Sequence, residues 1–413
     1  MTRSRTRSNG EGSIYPYRNG FAAYVWITTP AGRRQRKYVY GKTRPAVHAK
    51  WLELSQLAAR GPVVTSVPTV EQYLTRWLKE TVEPNLAPLT HSTYESHIRN
   101  YIVPGIGHHR IDRLRVSDVQ RWLNALPSQC QCCAQGKDAK RALKDQKLAR
   151  CCAIGSCCQS YPSPRSIKDL RTVLRSALSS AMSEELVEKN VAALVKSPKQ
   201  RKRKVVPWTS EEARRFLESA RSDDDPLYAA YVLVLVLGMR KGEVLGLTWD
   251  ALDLEVQELV IDHQLQRVGG SLLHRETKTE ASDASLPMPR IAVTALTLRK
   301  ETQEVHRRET GEAWRGLDKG PHFVFTGRYG LPVDPRGFNR KFTARCVSAG
   351  VRHQTVHDAR RTCATLLVDL DVHPRVIMRI LRHADISVTM EIYAKASSAA
   401  TTEALRRLGD SLE

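Results

Sequence analysis

Apolar positions recur with different rhythms along the chain, and each change of rhythm marks a boundary. From Gly12, "GSIYPYRNGFAAYVWITTPAGRRQRKYVYGKT" alternates aromatic and β-branched residues in short runs broken by "RNG" and "PAG". That pattern predicts a small three-stranded sheet with two turns. The segment "RPAVHAKWLELSQLAAR" follows with helical spacing and is expected to cover one face of the sheet. "GPVVTSVP" then reads as a linker. From Thr69 the rhythm is helical: "TVEQYLTRWLKETV" puts Val70, Tyr73, Leu74 and Trp77 on one face. "LTHSTYESHIRNYIVP" predicts a helix starting at a Thr/Ser cap, and "RVSDVQRWLNALP" and "SPRSIKDLRTVLRSALSSAMSEELVEKN" predict two more. Past the basic run "KSPKQRKRK", Thr209 and Glu212 form a capping box. A buried helix ("LYAAYVLVLVLG"), strands ("ELVIDHQLQRV", a "GG" turn, "SLLHRETK", "ASLPMP") and further helices complete the chain.

The fold expected is multidomain, mainly α, with an α+β C-terminal domain. The boundaries are 1–60 for the sheet plus helix, 69–195 for a helical domain with a cysteine-rich insert at 128–160, and 205–413 for the mixed domain. A chain of 413 residues has room for several cores.

Charge narrows the partner. Lysine and arginine number 65 against 43 acids, a net charge of +22. An excess of that size marks a polyanion partner, and without an amphipathic anchor nucleic acid is the better candidate. No apolar run approaches the roughly 20 residues that span a bilayer. The N-terminal stretch lacks the apolar core of a signal peptide, so a cytosolic protein is expected.

Seven of the nine cysteines fall between Cys130 and Cys158. Reduced, clustered thiols in a cytosolic chain point to metal. Cys130 and Cys133 have C-x-x-C spacing. Cys152 with Cys157, or Cys151 with Cys157 or Cys158, would complete a tetrahedral structural zinc site. Free thiols or reversible disulfides are the alternative.

Four stretches of the last domain carry chemistry. "LGMRKGEVLGLTWDAL" sets Arg240 after a glycine turn, with Glu243 three residues on and able to hold its guanidinium. "RETKTEASDASLP" puts Lys278 at the tip of a predicted hairpin. "VHDARRTCATLLVDL" predicts a helix with an apolar stripe of Val356, Cys363, Leu366, Leu367 and Leu370. Arg360 falls at the edge of that stripe, Arg361 points away, and His357 lies one turn earlier. A half-buried guanidinium needs a partner. "LRHADISVTMEIYAK" ends one helix at His383 and predicts another carrying Tyr393.

This set suits transesterification at a DNA phosphodiester. Two guanidiniums clamp the non-bridging oxygens as negative charge builds. A phenol supplies the nucleophile, a lysine protonates the leaving sugar oxygen, and histidines take up the phenol proton and bind phosphate. The chain has no "GxxxxGK[ST]" loop and no carboxylate cluster suited to magnesium.

The order Arg, Lys, His-x-x-Arg, His, Tyr resembles the tyrosine recombinase, or phage integrase, family. "GMRKGEVLGLTWDALDL", "HDARRTCATLL" and "HADISVTMEIYAK" are similar to its three boxes, and "LTHSTYESHIRNYIVPGIGHHRIDRL" is similar to its core-site-binding domain. The N-terminal sheet resembles the arm-site-binding domain of mobile-element integrases. The resemblance implies Arg240 and Arg360 as the phosphate clamp and Lys278 as general acid. It implies assisting roles for His357 and His383, support from Glu243, and Tyr393 as the nucleophile forming a 3′-phosphotyrosyl link. It further implies double-stranded DNA with core and arm sites as partner, a tetramer on DNA, a directionality factor, and no cofactor for catalysis. Two positions depart from the family: Arg382 replaces the usual Gly before the second histidine, and Arg361 the usual His after the second arginine. Both are expected to tune backbone geometry or DNA contact. A non-cutting DNA-binding regulator on the same scaffold and a related topoisomerase are the alternative readings.

Overall fold

The computed structural model describes residues 14–29, 32–61, 67–138, 151, 154–198, 205–277, 284–316, 320–382, 385–387, 390, 406, 408 and 410. The chain divides into two compact units, Met1–Gln200 and Arg201–Glu413.

The first unit begins with the antiparallel sheet β1 (Tyr15–Tyr17), β2 (Gly20–Thr28) and β3 (Arg34–Gly41), in the order β1-β2-β3. Helix α1 (Arg44–Arg60) covers it. Alternation sorts the side chains. Phe21, Ala23, Val25 and Ile27 pack with Val47, Trp51 and Leu54 of α1. The register pairs Tyr24 with Tyr38 and Trp26 with Arg36, and these four belong to the other face.

A separate core holds the helical region. Helix α2 (Val70–Trp77) runs through a π-turn at Leu78–Val82 into α3 (Glu83–Asn85), and α4 (Pro88–His97) runs through a second at Ile98–Ile102 into α5 (Val103–Ile106). Then come α6 (Val116–Ala125), α7 (Gln131–Gln135), α8 (Pro164–Ser183) and α9 (Val191–Leu194). Val70, Tyr73, Leu74 and Trp77 are all buried, as their spacing requires. Helix α4 starts at Pro88 with Ala87 as cap rather than at a Thr or Ser; the proline's fixed φ and missing N–H suit the first helical position.

The second unit opens with α10 (Ser210–Ser222). Its capping box is formed as expected, Glu212 N donating to Thr209 Oγ1 at 3.2 Å and Thr209 N to Glu212 Oε2 at 2.9 Å. Helix α11 (Tyr228–Val236) is buried on all sides from Ala229 to Leu235, which explains its continuous apolar run. Around it lie α12 (Lys241–Gly246), α13 (Arg290–Thr310), α14 (Pro335–Ser348), α15 (Val356–Asp369) and α16 (Pro374–Leu381).

Two small sheets complete the unit: β4 (Leu252–Asp253), β5 (Glu258–Ile261) and β8 (Ala284–Pro287), and the hairpin β6 (His263–Val268) with β7 (Ser271–Glu276). "ELVIDHQLQRV" is therefore two strands. At Asp262, whose carbonyl accepts the Thr277 N–H at 2.7 Å, the chain changes partner from β8 to β7. This corrects the hairpin expected around Lys278. Among the described residues the strands on either side of it pair in different sheets, and the expected "GG" turn closes the β6–β7 hairpin. Leu370 is a second correction: it caps the C-terminal end of α15 and is 73% exposed, outside the apolar stripe.

Candidate active site

Helix α11 ends in a turn that only glycine fits well. Gly238 has φ +56, and a Cβ there would run into Leu381 Cδ2 and crowd Cys363 Sγ. The turn delivers Arg240 to the residue just before α12. Its backbone N donates to Glu243 Oε2 at 2.7 Å and its Nη1 to Glu243 Oε1 at 2.6 Å. Arg240 and Glu243 thus meet as cap and third residue of α12, not across one helix face. Helix α12 is held by close packing on β6, where Gly246 lies against the Gln264 and Leu265 backbone.

Arg360 projects from α15 into the interior and is 5% exposed. Its two Nη atoms donate to the carbonyls of Gly238 and Leu381. Arg240 Nη2 donates to the next carbonyl, Arg382 O, at 3.0 Å. The two guanidiniums therefore hold consecutive carbonyls at the end of α16. Burial first, then the nearby Arg240 charge, pulls Arg360 down to about 9. Arg361 is exposed, as its helical phase requires.

Arg382 is the residue that the sequence placed least well. It takes the left-handed conformation, φ 52, that the family's glycine adopts freely. Its side chain turns inward, with Nη2 2.7 Å from Glu243 Oε2 and Nη1 3.1 Å from Ile380 O. Burial pushes Glu243 up, but Arg382, the Arg240 N–H and the Arg240 guanidinium outweigh it and hold the carboxyl below its usual range.

His357 lies in the first turn of α15, whose capping box joins Thr355 and Asp358. Desolvation first, then Arg361 and Arg360, lowers its pKa. Arg240, Arg360 and His357 line one cleft of about 510 Å³ with Lys241, Asn339, Thr343 and His353. Lys241 and His353 escaped sequence reasoning. Lys241 donates to Asn339 Oδ1 at 3.3 Å, and burial lowers its pKa. A larger cavity of about 680 Å³ lies around Trp249, Gln303 and Trp314, away from the arginine pair. The cations of this region converge on the smaller cleft. Lys278, His383 and Tyr393 lie outside the described residues.

In the cysteine insert, Cys130, Cys133, Cys151 and Cys157 place their sulfurs within 4.8 Å of one another. Cys152 lies outside the described residues; Cys151 with Cys157 is one of the completions the spacing left open. None of the described cysteines forms a disulfide. The Cys133 backbone N–H is the main cause that brings Cys130 down to about 5.

Known proteins resemble this chain in sequence and in fold. The phage integrase family matches residues 207–399, and the phage integrase N-terminal SAM-like domain matches residues 69–126. A tyrosine recombinase XerC-like protein of Caldanaerobacter subterraneus subsp. tengcongensis is 26% identical over 94% of this chain and 96% of its own. An integrase of Streptomyces ambofaciens is 26% identical over 95% and 94%. Among solved structures, the Tn1549 transposon integrase in complex with transposon right end DNA covers 83% of this chain and 99% of its own, with TM-score 0.61 and 21% identity. A lambda integrase dimer bound to a core site covers 95% and 96%, with TM-score 0.50 and 17% identity.

The chain belongs to the phage integrase family of tyrosine recombinases. It is a site-specific DNA recombinase, of a family that needs no cofactor for catalysis. No helix among the described residues is long and apolar enough to cross a membrane.

Proposed function

We propose that this chain is the integrase of a mobile genetic element and that it cuts and rejoins attachment-site DNA through Tyr393. The Tyr393 oxygen attacks the scissile phosphorus, forming a 3′-phosphotyrosyl bond as the bond to the 5′-oxygen breaks. Lys278 protonates that departing oxygen, while His357 and His383 take up the phenol proton and bind phosphate. Arg240 and Arg360 neutralise the charge gathering on the non-bridging oxygens. Glu243 orients Arg240. The incoming 5′-hydroxyl of the partner strand reverses the sequence, so one phosphodiester is exchanged for another and no energy source is consumed. The observation that carries this reading is the convergence of Arg240 and Arg360 on adjacent carbonyls beside Glu243 and His357. The parts played by Lys278, His383 and Tyr393 rest on the sequence motifs.

Three working parts are proposed: 1–60 for arm-type sites, 69–195 for the core site, and 205–413 for catalysis. The arm-binding role is supported by the solvent face of the first sheet. Arg36 lies over Tyr24 and Trp26, at 4.9 and 4.8 Å, and Arg34 over Trp26 at 5.2 Å. Such a basic, aromatic face suits phosphates and bases. Pairwise strand exchange through a four-way junction calls for four protomers on two duplexes. A directionality factor would bias integration against excision, and a cytoplasmic, DNA-associated location follows. A structural zinc ion held by Cys130, Cys133, Cys151 and Cys157 is proposed for the insert, supported by their sulfur cluster.

The test is incubation with nicked attachment-site DNA that traps covalent complexes. Wild type is expected to form an adduct that Tyr393→Phe does not. Binding without an adduct would favour a non-cutting regulator. Relaxation of supercoiled plasmid lacking an attachment site would favour a topoisomerase.

A further inference from the structure

We infer that the cysteine insert holds two zinc ions in one six-thiolate cluster. Cys130 and Cys151 bridge the ions, Cys133 and Cys157 complete one, and Cys132 and Cys158 complete the other. The inference rests on the structural zinc proposed above and goes one ion beyond it.

The described residues of the insert form no apolar core. Between Gln129 and Ser160 the buried residues, among those described, are Cys130, Gln131, Asp138 and Cys151. Ile154 is exposed. Even so, the two ends are joined by Gln131 N to Ser160 O at 2.9 Å, and Gln135 Nε2 ties α7 to Asn100 O at 3.1 Å. A small segment whose described residues supply no aliphatic interior needs a staple.

The thiols supply the geometry of one. Cys151 pairs with Ser156 across a turn at Gly155, which brings Cys157 and Cys158 back to the start of α7. Zinc–sulfur bonds of about 2.3 Å in a tetrahedron set sulfurs about 3.8 Å apart. Cys130 Sγ lies 3.7 Å from Cys151 Sγ and 3.8 Å from Cys158 Sγ. Cys133 Sγ and Cys151 Sγ, at 3.0 Å, would open by roughly 0.8 Å to reach that edge.

One ion cannot use all six thiols. Besides the set Cys130, Cys133, Cys151 and Cys157, a second set joins Cys132, Cys151 and Cys158 within the same reach. Cys151 belongs to both sets, and Cys130 touches Cys158 of the second. These two shared thiols are also the two buried ones. Sharing both lets six sulfurs fill two tetrahedra. As the thiolates bind, their protons pass to solvent. Two divalent ions and six thiolates leave two negative charges, in an insert whose sequence at 137–150 carries six Lys/Arg against two Asp.

The full-length chain, purified from zinc-supplemented cells and desalted, would be analysed by elemental and native mass spectrometry. Two zinc ions per chain are expected. Cys132→Ser and Cys158→Ser should each lower the count to one, and Cys151→Ser should remove both. Wild-type protein exchanged with ¹¹³Cd should show metal–metal coupling through shared sulfur, a readout that needs no variant. One zinc per chain, unchanged by Cys132→Ser and Cys158→Ser, would overturn the pair and leave the single structural ion standing. No zinc would overturn both. Two ions unaffected by those variants would overturn the ligand assignment.

Discussion

Arg382 and Glu243 form a buried ion pair, with Nη2 2.7 Å from Oε2 and side chains 1% and 4% exposed. The pair anchors the carboxylate that also grips Arg240. A residue at the left-handed end of α16 thereby reaches the proposed phosphate clamp from within.

Removing Arg382 leaves a buried carboxylate with one cation fewer. Arg382→Ala should lower unfolding free energy by about 3–5 kcal/mol. Arg382→Gly, which relieves the backbone conformation, should cost somewhat less. Urea midpoints at pH 7 would measure both. Glu243 has a depressed folded pKa, so its contribution is present above the ordinary value of 4.5 and is lost as pH falls through the folded value. In Glu243→Gln that acid-side loss should shrink. An unchanged urea midpoint in Arg382→Ala would show that the pair contributes nothing to stability.

Gly238 tests the turn. Gly238→Ala adds a methyl where Leu381 already stands, in a conformation costing an L-residue about 1–2 kcal/mol. The clash should displace the carbonyl that Arg360 holds, so cleavage should fall more than DNA binding does. Covalent trapping alongside a gel-shift titration separates the two.

His357 should stay neutral at pH 7, since desolvation and Arg361 keep its pKa below 6.5. Arg361→Gln removes one of those causes. The imidazole pKa should therefore rise toward 6.5, and the acid limb of the cleavage profile should move to higher pH with it. An imidazole NMR titration reads the shift directly; no movement would remove Arg361 from the account.

On the N-terminal sheet, Arg36→Ala should weaken arm-site binding and flatten its salt dependence. Each lost phosphate contact changes the log–log slope by about 0.9. Trp26→Ala should weaken binding while leaving the slope nearly unaltered, because a ring displaces no counterion. Filter binding across a salt series distinguishes these outcomes.

What the sequence determined by itself is what neighbouring residues decide together. Local periodicity and end signals suffice for α1, for the buried face of α2, for the Thr209–Glu212 cap and for the all-apolar α11. The same local motifs marked Arg240, Glu243, His357 and Arg360, because each box is contiguous. Tertiary structure alone decided which distant groups meet. It turned Arg382 inward onto Glu243, 139 residues away, rather than toward DNA. It switched strand partners at Asp262, and it gathered Cys130, Cys133, Cys151 and Cys157 from two separate stretches. Those outcomes depend on long-range packing and on the cost of leaving a buried charge unpaired, neither of which is written in the spacing of residues along one segment.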